Sequence, residues 1–153
     1  MLKVGDVAPD FTLASVRGEI TLRALRGKMV LVYFYPKDDT SGCTRQACDF
    51  RDHMAVLSDH VTVIGISRDS LAKHRAFQSK YDLNFDLASD EAGKVCEAYG
   101  VWVEKSMYGR TYFGIERSTF LIDEAGHIIA LWRKVKVPGH VEAVLQSVSV
   151  SGS

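Results

Sequence analysis

The amino-acid sequence predicts an α/β fold, a three-layer sandwich with a mixed central sheet and an N-terminal β-hairpin. Two observations favour this class. Patterns of buried strands alternate with helical patterns in the middle of the chain, which gives two β–α–β crossovers and therefore parallel strands with helices on both faces. Near the end, two further strand patterns are joined by a short turn, which adds antiparallel strands to the same sheet.

Length and composition agree with one domain of this class. The chain has 153 residues, of which 46% are hydrophobic and 25% charged, as in ordinary globular proteins. We expect a single domain over residues 1–148 and a loose tail over 149–153. The 19 basic and 19 acidic residues cancel. Because no basic stripe is left to neutralise a phosphate backbone, nucleic-acid binding is not expected.

The first predicted elements are a hairpin and a buried strand. Residues 11–13 and 20–22 are short strand-like stretches on either side of a turn at 17–19, which is typical of a hairpin. Residues 29–35 form a continuous apolar run, rich in branched and aromatic side chains, between a glycine and a proline. This run predicts a strand that is covered on both faces.

Two helices and a second buried strand follow. Apolar side chains recur at spacings of three and four between about residues 43 and 58, which predicts a helix with one buried face. Residues 61–67 predict another buried strand. A capping residue at position 69 or 70 then begins a helix that runs to about residue 80, with His74 as a packing residue on its apolar face.

The last third is predicted to contain, in order, a short strand at 85–87, a short helix at 91–99, a long loop at 101–114, a hairpin of strands at 118–123 and 127–132, and a final helix that opens at 138–140. The loop is predicted from its two glycines and mixed polarity. Four aromatic residues in it are expected to cover the edge of the core, with a substrate mouth as the alternative: Trp102, Tyr108, Tyr112 and Phe113.

The cysteine count and the N-terminal residues bear on the compartment. Three cysteines are an odd number and too few for a disulfide scaffold. The first residues lack the apolar core of a signal peptide, and the longest apolar run is far too short to cross a bilayer. We therefore expect a cytoplasmic protein with reduced thiols and no membrane association.

Cys43 occupies a position that suits thiol chemistry. It follows the loop after the most buried strand, where the next helix begins, and the positive end of a helix favours a thiolate. Thr40 can place its hydroxyl beside the sulfur, while Pro36 fixes the loop and has no N–H group. The alternative is that Cys43 is a small apolar side chain that happens to begin a helix.

The spacing Pro36-x-x-x-Thr40-x-x-Cys43 resembles the active-site motif of the peroxiredoxins, in particular the bacterioferritin-comigratory-protein or PrxQ subfamily. Further segments that resemble this subfamily are residues 32–37, 42–48, 65–67, 99–102, 104–106 and 117–123. The resemblance extends over nearly the whole chain. Ser41 departs from it, because this subfamily often has proline there, and we expect a slightly more mobile loop without loss of activity.

This resemblance implies a thioredoxin-like fold, which matches the predicted order of elements, and a thiol-dependent peroxidase activity. Cys43 matches the peroxidatic cysteine, whose sulfur becomes a sulfenic acid. Thr40 matches the residue that hydrogen-bonds the peroxide. Arg117 matches the arginine that holds the thiolate and polarises the peroxide, although its residue type alone fits an exposed charge at the end of a strand.

Cys48 matches the resolving cysteine found in part of the subfamily, five residues after the peroxidatic one. On an α-helix such residues have Cα atoms about 8.7 Å apart, from a rise of about 1.5 Å and a rotation of about 100° per residue. A disulfide rarely spans more than about 7 Å, so this bond requires the first turns of the helix to unwind. The alternatives are a buried core thiol at Cys48 and Cys96, otherwise a core residue, as the resolving thiol.

The resemblance also implies the partners. The substrates are hydrogen peroxide and organic hydroperoxides, the reductant is thioredoxin or a similar dithiol protein, and the protein acts as a monomer without an organic cofactor. A metal site is not expected, because Cys43, Cys48 and His53 are spaced by five and point away from one another on a helix. The alternative function is a redox-sensing or holdase-like module that uses the same disulfide without sustained turnover.

Overall fold

Strands and helices follow one another as the sequence predicts, with one added hairpin. A computed structural model describes the fold of residues 1–151, and the side chains of residues 1–149. The elements are β1 (Thr12–Ser15), β2 (Ile20–Thr21), β3 (Met29–Phe34), α1 (Ser41–Leu57), β4 (Val61–Ser67), α2 (Leu71–Tyr81), β5 (Asp86–Ser89), α3 (Lys94–Ala98), β6 (Trp102–Met107), β7 (Arg110–Ile115), β8 (Ser118–Ile122), β9 (Ile128–Trp132) and α4 (His140–Ser151).

The central sheet is mixed, as the sequence predicts. Its seven strands lie in the order β2-β1-β5-β4-β3-β8-β9. β3 pairs in parallel with β4, and β4 with β5, because a helix connects each pair. The pairs β1–β2, β1–β5, β3–β8 and β8–β9 are antiparallel. The predicted β–α–β crossovers and both predicted hairpins are therefore confirmed.

β3 joins the two halves of the hydrophobic core. All six of its residues are buried, and alternate side chains point to opposite faces of the sheet. Leu31 and Tyr33 pack with α1, α2 and α4 on one face. Val30 and Val32 pack with α3 and the N-terminal segment on the other. This double burial gives the three layers of the sandwich and fixes the end of β3, from which the polar loop leads to α1.

The helices beside this loop begin and pack much as predicted. α1 starts at Ser41, two residues before the predicted start, because Thr40 is the last residue with extended backbone angles. The apolar side chains of α1, including Ala47 and Phe50, are buried against the sheet. At the start of α2, the Ser70 side chain accepts a hydrogen bond from the N–H of Lys73, which satisfies one free donor of the helix.

The predicted loop at 101–114 is wrong, because these residues form the antiparallel hairpin β6–β7. Its two-residue turn consists of Tyr108 and Gly109, which both have positive φ angles, as a type I′ turn requires. Asparagine or aspartate is the usual first residue of such a turn. Because a tyrosine stands there, the hairpin signal is missing from the sequence.

The aromatic residues of this hairpin do not cover the core edge as a group. Trp102 is half-buried and packs against the core, with the Arg68 guanidinium 4.4 Å from the centre of its ring. By contrast, Tyr108 is 97% exposed, Phe113 is 59% exposed, and Tyr112 is also exposed. The expectation therefore holds for Trp102 and is wrong for the other three.

The C-terminal helix extends further than the sequence suggests. α4 continues to Ser151, past residue 148, after which a loose tail is predicted. Residues 152 and 153 of that predicted tail lie outside the described residues. Over the part of the chain that the structure describes, none of the helices has both the length and the hydropathy needed to cross a membrane.

Candidate active site

Cys43 lies in the first turn of α1, where the polar loop from β3 ends. Its side chain is 2% exposed. Thr40 is the N-cap of α1, but its hydroxyl donates to the carbonyl of Lys37, 3.0 Å away, and does not cap the helix. Pro36 and Thr40 are both exposed at the surface of the loop. The free N–H groups of this first turn favour negative charge beside Cys43.

Arg117 reaches Cys43 from the other end of the sequence. It directly precedes β8, and Ser118 of that strand pairs with Phe34 at the end of β3. This pairing carries Arg117 to the start of α1, where its Nη2 atom donates to the Cys43 sulfur over 3.3 Å. The structure thus brings together two predicted site residues that are 74 positions apart.

Gln46 is a site residue that the sequence reading missed. The Nη1 atom of Arg117 donates to Gln46 Oε1 over 2.6 Å, while Nη2 faces Cys43. Gln46 is fully buried, and its Nε2 atom has no hydrogen-bond partner among the described residues. Its spacing of three from Cys43, which places both on one helix face, is the signal that points to it. Gln46 therefore holds the rigid guanidinium of Arg117 in place beside the Cys43 sulfur.

Gly42 leaves room for this arginine. A Cβ atom built at position 42 would lie 3.3 Å from Arg117 Nη2, which is closer than almost all such contacts in proteins. A side chain at this position would require the guanidinium to shift by a few tenths of an ångström. The glycine before Cys43 is thus explained by the close approach of Arg117, because the backbone at this residue has no need of a positive φ angle.

Lys105 brings a second positive charge near the site. It lies on β6, and its ammonium donates to the carbonyl of Ile115. Burial lowers the pKa of Lys105, the positive charge of Arg117 lowers it further, and negative charge at Cys43 acts in the opposite direction. The sequence predicts a loop at this position and gives no indication of a role for Lys105.

Cys48 is half-exposed on the same unbroken helix as Cys43. Burial raises the pKa of the Cys48 thiol, and the positive charge of Arg51 partly opposes this effect. Both cysteines are free thiols. Since α1 is continuous from Ser41 to Leu57, these two sulfurs are held in the arrangement of the reduced protein.

Cys96 lies on the opposite side of the sheet. It packs in the core cluster of α3, whereas Cys43 packs in the cluster of α1. Its side chain is fully buried, and burial raises the pKa of its thiol far above the ordinary value, with Asp90 adding to the shift. Its predicted place in the core is confirmed, and the sheet separates it from the other two thiols.

A buried hydrogen-bond network holds the loop before Cys43. Asp38 accepts a hydrogen bond from the Tyr35 hydroxyl over 2.5 Å, and its second oxygen lies 2.6 Å from His74 Nδ1. His74 Nε2 lies 2.9 Å from the carbonyl of Ala88, which can only accept, so this nitrogen carries a proton. The Asp38 N–H donates to Asp69. The prediction that His74 is a satisfied packing residue is confirmed.

This network predicts a contrast between two substitutions. His74→Phe leaves Asp38 Oδ2 and the carbonyl of Ala88 without their hydrogen-bond partner, and we expect it to lower the free energy of unfolding by about 3 kcal/mol. Asp38→Asn keeps an acceptor for Tyr35 and supplies an N–H for His74, so we expect a loss of only about 1 kcal/mol. Urea denaturation of both variants checks this, and equal losses would contradict it.

Comparison with known proteins places this geometry in a family. The model of the AhpC/TSA family matches residues 4–131. The chain is 55% identical to a putative peroxiredoxin bcp of Coxiella burnetii over 146 residues, 94% of this chain and 97% of that protein. It is 47% identical to the peroxiredoxin Bcp of Bacillus subtilis over 148 residues, 95% of this chain and 94% of that one.

Solved structures agree with these relatives. A bacterioferritin comigratory protein of Xanthomonas campestris, studied for its alkyl peroxide reduction activity, is 40% identical and superposes with a TM-score of 0.89. The superposition covers 94% of this chain and 92% of that one. A cysteine-to-serine mutant of Xylella fastidiosa PrxQ, 35% identical, gives a TM-score of 0.94 over 100% of this chain and 99% of that one. The thioredoxin-like fold implied by the sequence resemblance is confirmed.

Proposed function

Because this chain belongs to the AhpC/TSA family and is a Bcp-type peroxiredoxin with thiol peroxidase activity, we propose that Cys43 is the cysteine that attacks the peroxide. The observation that carries this proposal is the hydrogen bond from Arg117 to the Cys43 sulfur at the start of α1. Among the described residues, which include all three cysteines, no other cysteine combines a helix N-terminus with a cation in direct contact.

In the first step, the Cys43 thiolate attacks one oxygen of the peroxide. The S–O bond forms as the O–O bond breaks, so sulfur loses two electrons and the peroxide gains them. The leaving oxygen takes a proton and departs as water or an alcohol, and Cys43 becomes a sulfenic acid. Arg117 stabilises the charge on the leaving oxygen, because its fixed donors already point at the reacting sulfur.

Two residues of the loop shape the place where peroxide binds. The Thr40 hydroxyl donates a hydrogen bond to the Lys37 carbonyl, so the hydroxyl oxygen remains available to accept a hydrogen bond from the peroxide. Pro36 has a fixed φ angle and offers no N–H to the site. We assign Thr40 to peroxide binding and Pro36 to holding the loop above Cys43.

In the second step, Cys48 attacks the sulfenic sulfur. An S–S bond forms, the S–O bond breaks, and the oxygen leaves as water after taking a proton. Because α1 is intact in the reduced protein, its first turns must unwind before the two sulfurs can meet. The raised pKa of Cys48 means that fewer molecules carry its thiolate at neutral pH, so this step accelerates as pH rises.

A dithiol protein such as thioredoxin then reduces the Cys43–Cys48 disulfide, and the cycle repeats. Hydrogen peroxide and organic hydroperoxides are the proposed substrates, which accords with the alkyl peroxide activity of the Xanthomonas relative. We further propose that the protein acts as a monomer, as the subfamily resemblance implies. A reducing compartment, the cytoplasm, suits its three free thiols.

The test follows peroxide consumption by wild type and Cys48→Ser with a thioredoxin reducing system. We expect the wild type to turn over and to show a Cys43–Cys48 disulfide in peptide mass spectra. Cys48→Ser should consume one equivalent of peroxide and stop as a sulfenic acid on Cys43. If Cys48→Ser cycles at the wild-type rate, an external thiol resolves the sulfenic acid, and the roles of Cys48 and of unwinding are wrong.

The redox-sensing alternative gives a different result in the same assay. A sensor or holdase-like module oxidises once and needs no sustained turnover, so its wild type would stop after one equivalent even with excess reductant. Membership of a family of thiol peroxidases favours turnover.

A further inference from the structure

One residue of α2 holds both ends of the segment that carries Cys43 and Cys48. Tyr81 is the last residue of that helix. Its hydroxyl donates to Asp39 Oδ1 over 2.7 Å, four residues before Cys43. Its carbonyl accepts from Arg51 Nη1 over 2.7 Å, three residues after Cys48.

The loop side of this arrangement rests on Asp39. Lys80 donates to its second oxygen over 2.8 Å. The hydrogen bonds from Lys80 and Tyr81 lower the pKa of the Asp39 carboxyl, so it is ionised at neutral pH. Asp39 has a φ angle of +60°, which aspartate and asparagine adopt more readily than most residues with a side chain. Its two partners on α2 help to hold this turn in place.

The helix side is anchored more broadly. Besides the contact of Arg51 with Tyr81, the Asn84 side chain donates to the carbonyl of Arg51 over 3.2 Å. Phe50, next to Arg51, is fully buried and stacks on Tyr33 with ring centres 4.7 Å apart. From Arg51 onwards, α1 is therefore fixed to the fold by both packing and hydrogen bonds.

The segment between these two anchors receives few side-chain hydrogen bonds from the rest of the fold. Among the described residues, side-chain hydrogen bonds from outside α1 reach positions 41–49 from Arg117 alone, at Cys43 and Gln46, and within α1 the His53 side chain contacts the carbonyl of Asp49. Cys48 is half-exposed. Residues 40–49 thus have hydrogen-bonded anchors at both ends, while packing of the buried Cys43, Gln46 and Ala47 side chains and the contact with Arg117 hold the middle.

We propose that Tyr81 is a positioning residue for both thiols, which stabilises the folded form of residues 40–49 against the unwound form that makes the disulfide. This inference rests on the proposed roles of Cys43 and Cys48. The folded form presents Cys43 to Arg117, and the unwound form allows Cys48 to reach the sulfenic acid. The hydroxyl of Tyr81 stabilises the folded form and thereby slows formation of the disulfide.

Tyr81→Phe tests the proposal, because it removes the bond to Asp39 and keeps both the ring against Phe77 and the carbonyl for Arg51. Rapid-quench alkylation with mass spectrometry follows the two steps separately. We expect disulfide formation to accelerate about three- to fivefold, as for the net loss of one ordinary hydrogen bond at an exposed site. Oxidation of Cys43 by peroxide should change less than twofold, because the folded form still predominates.

A second readout distinguishes positioning from a structural role. The sulfenic acid reacts with further peroxide to a sulfinic acid unless the disulfide forms first. We therefore expect Tyr81→Phe to need about three- to fivefold more peroxide for half-inactivation, in proportion to the faster disulfide step. A residue that only stabilises the fold would lower the melting temperature and leave this ratio unchanged.

Three further variants complete the design. Tyr108→Phe makes the same chemical change at a tyrosine that is 97% exposed, and it should match the wild type in both steps. Asn84→Ala loosens the helix side without changing the charge near Cys48, and it should also accelerate disulfide formation. If Tyr81→Phe folds poorly, Asp39→Asn removes the charge at the same anchor, because asparagine tolerates a positive φ angle.

Disulfide formation in Tyr81→Phe at or below the wild-type rate would overturn the proposal. So would an equal acceleration in Tyr108→Phe. A wild type that forms no Cys43–Cys48 disulfide would instead overturn the proposed function, and this inference with it. The two failures are distinguishable, because failure of the proposed function is already seen in the wild type, whereas failure of this inference is seen only when Tyr81→Phe is compared with it.

Discussion

Cys43→Ser is expected to abolish peroxide turnover, leaving only the rate of the reducing system without enzyme. A serine hydroxyl keeps its proton at neutral pH, so it offers no anion to attack the O–O bond. Its oxygen also lacks the reversible oxidation states of sulfur, so the cycle of sulfenic acid and disulfide has no counterpart. The fold should be preserved, because Arg117 still donates to Gln46 and the substitution is nearly isosteric.

The measurement is peroxide consumption coupled to thioredoxin, with Cys96→Ser as the matched control. That variant makes the same change at a fully buried cysteine on the other side of the sheet, so it should keep the wild-type rate per folded molecule. Turnover by Cys43→Ser above a tenth of the wild-type rate would show that another group attacks the peroxide. Loss of turnover in Cys96→Ser with an intact fold would place Cys96 in the cycle.

Arg117→Met is the second large effect, and we expect it to slow oxidation of Cys43 by about 10²–10³-fold, as for loss of one prepositioned donor. Methionine replaces the apolar stem but removes both hydrogen bonds, to the Cys43 sulfur and to Gln46. The thiolate then loses its cation, and the leaving oxygen loses its donor. Because both effects act on the reacting atoms, the loss should fall on the rate of sulfenic acid formation.

Two further variants test whether the charge of Arg117 or its two hydrogen bonds matter for oxidation of Cys43. Arg117→Lys restores the charge but cannot reach Cys43 and Gln46 at once, so its rate should lie between those of Arg117→Met and the wild type. Arg133→Met removes a half-buried arginine that lies over Phe120, away from Cys43, and should leave sulfenic acid formation unchanged. A loss of less than tenfold in Arg117→Met would remove Arg117 from the catalytic machinery.

Features that depend on neighbouring residues could be predicted from the sequence. The continuous apolar run of β3 identified the central strand, and the spacing of Ala47 and Phe50 identified the buried face of α1. The loop between these elements then had to lie at the carboxyl end of a buried strand, where sites form in such sheets. Cys43 could therefore be placed at a helix start without knowledge of the fold.

Features that depend on distant residues could not be predicted in this way. Arg117 could be assigned only through family resemblance, because its contact with Cys43 depends on the pairing of β8 with β3, which the sequence does not show. The sequence does not show that Gln46 contacts Arg117, because the two residues are 71 positions apart. The contact of His74 with Asp38 spans 36 residues and was likewise invisible. The β6–β7 hairpin was missed because Tyr108 occupies a turn position where asparagine is usual.

The position of Cys96 across the sheet has a consequence for the fidelity of oxidation. Three cysteines allow three intramolecular pairings, and two of them involve Cys96. Both would have to cross the middle layer of the sandwich, which is filled by the side chains of β3 and its neighbours. If Cys43 is the cysteine that becomes electrophilic, the architecture protects it against mispairing, and we expect oxidation of the native molecule to give a single internal disulfide.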